Sequence, residues 1–304
     1  MGEFDVMKTP WRISIWAELL AEFLATGTMV AFNDGVVGLA VVGLTMSGRT
    51  SAIFQGAGDW LIITLGSALA VAMGIYLAGG ISGAHMNPAV TLAFALNGTL
   101  RWRKVVAYWI AQTLGAFAGA GVVYVDYVRG INAWNTTHHI VSRSSAGGLA
   151  TFSIFATYPA SYFHGSLWGP LVDQIIGTFF LVLFILAITD RSNRGVPNNL
   201  APLVIGLAVA AIGISFGADA GYAINPARDF GPRVFTWLAG WGRNAFPGPG
   251  GYWWVPIVGP FLGGAMAPLI YRTFVAHSIV VRDNASRSLH STRSAETRSD
   301  AAAE

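Results

Sequence analysis

Twice in this chain an apolar run stops at a small-residue bend and restarts as a helix. The first copy is Gly80-Ile81-Ser82-Gly83-Ala84-His85-Met86-Asn87-Pro88-Ala89-Val90 and the second is Gly221-Tyr222-Ala223-Ile224-Asn225-Pro226-Ala227-Arg228-Asp229. In both, the Asn supplies a helix cap and the Pro the first helical position. One Asn-Pro-Ala is an ordinary turn opener. Two copies, each lodged between long apolar spans, narrow the choice of folds sharply.

The medium is set by composition. The chain is 54% hydrophobic and 11% charged, where soluble domains carry about 25% charged residues. The apolar residues gather in spans of about 20, the length that crosses a bilayer as helix. The expected fold class is therefore an all-α polytopic membrane protein. Cysteine is absent, which removes disulfides, thiol nucleophiles and thiolate metal sites. A formal charge of +3 makes no case for nucleic acid. The first span is long and contains Glu18 and Glu22, unlike a cleaved signal peptide.

Spans are expected near 13–37, 60–78, 105–125, 170–189, 200–216 and 253–275, with a glycine-rich loop at 38–59. The whole, 1–304, reads as a single membrane domain. Repeat one covers about 13–125, an outer loop about 126–169 and repeat two about 170–275. A disordered tail of Ser, Arg and Ala fills about 282–304. Each half runs span, span, short half-helix, span. Three spans per half force the second half to be inverted, and discontinuous helices in an inverted repeat set a site at mid-membrane. Lys8, Arg12, Arg101, Arg103, Lys104, Arg191 and Arg272 fall on one side and Arg49, Arg129, Arg143 and Arg243 on the other. The basic side is cytoplasmic, so both termini are expected there, in a plasma-membrane protein.

Irregular backbone at membrane depth survives only where protein or a water-filled cavity satisfies it. Carbonyl oxygens of Gly83, Ala84, His85 and Met86 are expected to line one half of a route, and those of Gly221, Tyr222 and Ala223 the other. The two half-helix N-termini face one another there, each with roughly half a positive charge. Asn87 and Asn225 can donate hydrogen bonds to a passing solute. Such a site favours neutral polar molecules and repels cations and protons. Arg228, one turn into the second half-helix, is a charge that is costly in a membrane and marks a pathway; its donor fork never loses its charge. The blander alternatives make both Asn caps alone and Arg228 a structural residue held by loop carbonyls.

These motifs, Gly83-Ala84-His85-Met86-Asn87-Pro88-Ala89-Val90, Thr137-His138-His139-Ile140-Val141 and Asn225-Pro226-Ala227-Arg228-Asp229-Phe230-Gly231-Pro232, resemble the aquaporins of the major intrinsic protein family, over roughly 13–271. The resemblance is nearest to the glycerol facilitators, or aquaglyceroporins, of which Asp229 is characteristic. It implies an aquaporin-like right-handed bundle of six transmembrane helices plus two re-entrant half-helices. It implies homotetramers and passage of glycerol and water. It also implies an outer constriction that maps here to Ser67, Gly213, Tyr222 and Arg228. Ser67 departs from the pattern, since familiar glycerol facilitators carry a large aromatic there. A small residue implies a wider gap that admits larger polyols, urea or metalloid acids, unless its hydroxyl bonds back to its own helix near Ile63.

For Glu22 and Asp173, acids inside apolar spans, the functional alternative is a proton relay; the resemblance implies a structural role, with the carboxylates bracing backbone amides of the two bends. Asp229 is expected to anchor a loop. His138-His139 has no third ligand at metal spacing, and no metal or cofactor is expected. The competing classes are an ion- or proton-coupled transporter, which needs titratable groups along its route, and a membrane enzyme, for which no nucleophile–base pair appears in the spans.

Overall fold

The computed structural model describes residues 14–48, 60–193, 195–282 and 284. The chain is a multi-pass membrane protein, all helical among the described residues, with six helices long and apolar enough to cross a bilayer. In chain order these are α1 (Ile15–Met46), α2 (Trp60–Ser82), α4 (Trp102–Thr137), α5 (Trp168–Thr189), α6 (Ala201–Ala220) and α8 (Pro249–Arg282). Two short helices, α3 (Pro88–Leu96) and α7 (Pro226–Thr236), begin at the two Asn-Pro steps.

The packing repeats itself between the halves. Helix α1 lies against α2 and α4, and α5 lies against α6 and α8. Helices α2 and α6 meet each other. Short helix α3 packs on α8, and α7 packs on α4, so each half-helix rests on a long helix of the opposite half. Two glycines allow close approaches at matching places. A Cβ at Gly115 would run into the Phe23 carbonyl oxygen, and one at Gly263 into that of Ile175. These are the corresponding α1–α4 and α5–α8 seams, where small residues let backbones touch. The outward faces carry exposed apolar side chains, among them Leu20, Leu24, Leu69, Ile110 and Leu207, as lipid contact requires.

Helices α2 and α6 run about one turn beyond their expected ends, to Ser82 and Ala220, and three others run further. The loop expected from 38 begins instead as helix: α1 passes through a π-helical turn, Leu39–Gly43, and continues to Met46. Gly38 and Gly43 are packing residues, not turn residues. A Cβ at either would sit 3.0 or 2.9 Å from the Tyr127 ring. Helix α4 runs three turns past 125, to Thr137. The extensions bury Val42 and Ile131 against Phe152, Phe155 and Trp241 of the connecting segments, and this outer core keeps them helical. Helix α8 likewise runs on past 275 to Arg282. The rest of the 38–59 loop from 49 onward, and nearly all of the tail expected over 282–304, lie outside the described residues.

Candidate functional site

The two bends have the same construction. Asn87 and Asn225 are extended, with φ of −155° at both. Asn87 Oδ1 accepts from the Ala89 amide at 2.9 Å, and Asn225 Oδ1 accepts from those of Ala227 and Arg228 at 3.0 and 3.2 Å. Each side-chain amide also reaches across: Asn87 Nδ2 donates to the Ile224 carbonyl and Asn225 Nδ2 to the Met86 carbonyl, both at 2.8 Å. The half-helices are thus lashed tip to tip. A carboxamide nitrogen has two hydrogens, so each Asn keeps one after its cross-link. The residues one and three places before each Asn take left-handed backbone: Met86 and Ala84 (φ 51° and 47°), Ile224 and Tyr222 (φ 41° and 34°). None is glycine, and each such residue costs about 1–2 kcal/mol. The surroundings must hold this strain in place.

What holds the first bend is Glu22. Its carboxylate accepts from the His85 and Met86 amides at 2.9 and 2.8 Å, from Ser82 Oγ at 2.6 Å and from Gln112 Nε2 at 2.8 Å. At the second bend the brace is Gln174, and the expectation for Asp173 needs correcting. Gln174 Oε1 accepts from the Ile224 amide at 2.9 Å, and its Nε2 donates to the Ala220 carbonyl at 3.3 Å. Asp173 receives one 3.4 Å contact from Gln174. Neighbouring residues on a helix point about 100° apart, and Gln174 is the one aimed at the bend.

A cavity of about 570 Å³ runs beside the tips. Asn87, Asn225 and Arg228 line it, with Gly83, Ala84, His85, Met86, Tyr222 and Ala223 of the bends. The opposite wall is apolar, with Val71, Ile75, Leu181, Ile185 and Val209. It extends to Thr189 and Arg191 at the end of α5. Gly221 stands off this wall as the left-handed cap of α6, with Thr157 packed where a Cβ would go. The His85 ring contacts Thr91 Oγ1 at 3.2 Å and packs on Phe94 and Tyr108.

Around Arg228 the four constriction positions separate into two layers. Arg228 and Tyr222 face the cavity. Ser67 and Gly213 lie behind Tyr222. Ser67 Oγ contacts the Ile63 carbonyl (2.9 Å), Asn33 Oδ1 (2.6 Å) and the Tyr222 hydroxyl (3.0 Å). A Cβ at Gly213 would meet the Tyr222 ring at 3.0 Å. Trp60 completes the corner: its Nε1 donates to the Gly213 carbonyl at 2.9 Å, and its ring meets Tyr222 edge-on at 5.7 Å. Arg228 Nη1 donates to the Phe155 carbonyl at 3.1 Å, and Nη2 lies 3.6 Å from Asp34 Oδ1.

Asp229 is fully buried and faces away from the cavity. Its carboxylate accepts from the Thr157 amide and hydroxyl at 2.8 and 2.6 Å and from Arg233 Nε at 2.8 Å. Arg233, also fully buried, donates onward to the Thr157 and Ala245 carbonyls. The pair ties α7 to the segment before α5. His138 stacks on Trp134 at 3.9 Å.

Sequence reasoning missed Asn33, Asp34, Trp60, Gln174 and Arg233. A signal existed for the first. Glu18, Glu22, Thr26, Met29 and Asn33 recur at helical spacing and are all buried. Polar groups on one face of an apolar span point inward. Arg233 lies four residues after Asp229, the spacing of a helical ion pair.

The family description Major intrinsic protein matches residues 10–271. The chain is 41% identical over 259 residues to human aquaporin-10, covering 85% of this chain and 81% of that one. It is 41% identical to aquaglyceroporin-2 of Rhizophagus irregularis, covering 84% and 75%. Among solved structures, the aquaglyceroporin from Plasmodium falciparum superposes with a TM-score of 0.72 at 30% identity, covering 88% of this chain and all of the other.

Proposed function

This chain belongs to the major intrinsic protein family, and from that premise we propose that it is a passive channel for water and glycerol that excludes ions and protons. It is a channel and not an enzyme. The relatives named aquaglyceroporin support this solute pair. The observation that carries the mechanism is the crossed pair of hydrogen bonds from Asn87 to Ile224 and from Asn225 to Met86. They fix two helix N-termini beside the cavity that Arg228 lines.

A solute entering this route loses water. The remaining amide hydrogens of Asn87 and Asn225, the Arg228 guanidinium and the bend carbonyls replace its hydrogen bonds. The wall of Val71, Leu181 and Val209 meets the carbon side of a polyol. The narrow part is formed by Arg228 and Tyr222, with Ser67 and Gly213 setting the position of the tyrosine. Two converging positive helix ends oppose cations. The wider-pore alternative rested on an open corner at Ser67. Tyr222 and Trp60 occupy that corner, and nothing favours that reading. We place the protein in the plasma membrane; the lysine and arginine distribution supports both termini being cytoplasmic, and the family resemblance supports a homotetramer.

The test is solute flux in proteoliposomes of purified protein, with and without an imposed proton gradient. Glycerol and water flux that follows only the solute gradient is expected. Accumulation driven by the proton gradient would overturn the channel reading.

A further inference from the structure

We propose that Asp34 is the counter-charge of Arg228, so that the narrow part of the route is electrically neutral and cation exclusion rests on the two half-helix ends. The inference builds on the reading of the cavity as the conducting route.

Asp34 lies on α1 with no exposed surface, its Oδ1 3.6 Å from Arg228 Nη2. Asn33 Nδ2 donates to that same oxygen at 3.1 Å, while Oδ2 is buried with no hydrogen-bond partner. A carboxylate buried this way has little to hold its charge except the guanidinium. The other acid near Arg228 is already spent: Asp229 is paired with the buried Arg233 at 2.8 Å. The remaining groups packed around the site, Asn33, Ser67 and Tyr222, are neutral polar side chains joined by hydrogen bonds. The local account is therefore two cations and two anions in separate pairs. Water reaches the Asp34–Arg228 pair only from the Arg228 side, so screening between the two is weak.

Two consequences follow. Replacing Arg228 by Ala removes the side chain that separates Asp34 from the lumen; water then solvates the carboxylate, and its uncompensated charge attracts cations. Removing the Asp34 charge alone leaves the guanidinium uncompensated, which attracts anions. A purely structural Asp34 would change folding yield or stability and leave the charge preference of the pore where it was.

The experiment measures guanidinium, formate and glycerol entry into proteoliposomes for wild type, Asp34→Asn, Arg228→Ala and the double variant. Arg228→Ala is expected to raise guanidinium entry at least tenfold, and adding Asp34→Asn to pull it back at least fivefold. Asp34→Asn alone is expected to raise formate entry relative to glycerol at least fivefold. Equal guanidinium leak in Arg228→Ala with and without Asp34→Asn overturns the proposal, as does an unchanged formate-to-glycerol ratio in Asp34→Asn. If Asp34→Asn does not fold, Asp34→Ser removes the same charge, and Asp34→Glu in the Arg228→Ala background must retain the guanidinium leak. Absence of glycerol and water flux in wild type would instead refute the channel reading, leaving the two failures distinct.

Discussion

Glu22 and Gln174 stand at matching places behind the two bends, and only one of them is charged. Glu22 accepts from the amide one residue before Asn87, and Gln174 from the amide one residue before Asn225. The carboxylate serves four donors. The carboxamide serves one amide and spends its own hydrogens on the Ala220 carbonyl and Asp173. The halves are related by architecture without sharing the chemistry that holds their strained backbone.

Replacing Gln174 with Leu leaves the Ile224 amide buried without its acceptor, at a cost of about 1–3 kcal/mol. Replacing Glu22 with Leu strips four donors at once and is expected to cost more. Melting of the purified protein in detergent reads both. Equal melting temperatures for the two variants would contradict this account of the braces.

Breaking the buried Asp229–Arg233 pair is expected to be severe. Asp229→Ala leaves a guanidinium with no exposed surface and no carboxylate. The loss of one partner from such a pair costs about 3–5 kcal/mol. The expected outcome is a steep fall in the yield of folded protein by size-exclusion chromatography. A well-folded Asp229→Ala with wild-type melting would refute the anchoring role.

Ser67→Ala and Tyr222→Phe remove the two ends of one hydrogen bond. Each is expected to loosen the tyrosine by roughly 0.5–1.5 kcal/mol and to shift the glycerol-to-water permeability ratio in the same direction. The double variant is expected to add little to either single change. Stopped-flow permeabilities measure this, and fully additive shifts would argue that the two groups act apart.

Acid stability has a local contribution outside the spans. Asp190, just past the end of α5, accepts from the Tyr271 hydroxyl at 2.7 Å and from the Ser192 amide at 2.8 Å. The Tyr271 bond comes first in holding its carboxyl below the ordinary value of 3.8, against an opposing effect of burial. A depressed folded value means the stabilisation is present above 3.8 and is lost as pH falls through the folded value. Tyr271→Phe moves that loss to higher pH. Melting curves taken between about pH 5 and pH 2.5 should therefore show wild type the more stable at the upper end, with the advantage over Tyr271→Phe shrinking toward the acid end. Parallel curves would contradict the assignment.

Much of the fold was legible because its strongest signals are local. Apolar length gives spans, and Asn-Pro gives the start of each half-helix; α3 and α7 begin where those residues say. The ends of α1 and α4 were not legible. Gly38, Gly43 and Gly130 look like loop residues until Tyr127 and Val42 are seen packed against them. The choice between Asp173 and Gln174 was equally closed to sequence, because it depends on the rotation of α5 against a bend fifty residues away.

Sequence alone determined the medium, the six spans and the starting points of the two half-helices, since each follows from hydrophobic length or from chemistry packed into a few adjacent residues. Tertiary structure decided the electrostatics around Arg228. Asp34 and Arg228 are far apart in the chain and become a pair only when the fold brings α1 and α7 together. A Coulomb interaction depends on separation in space, and no pattern along the chain encodes that.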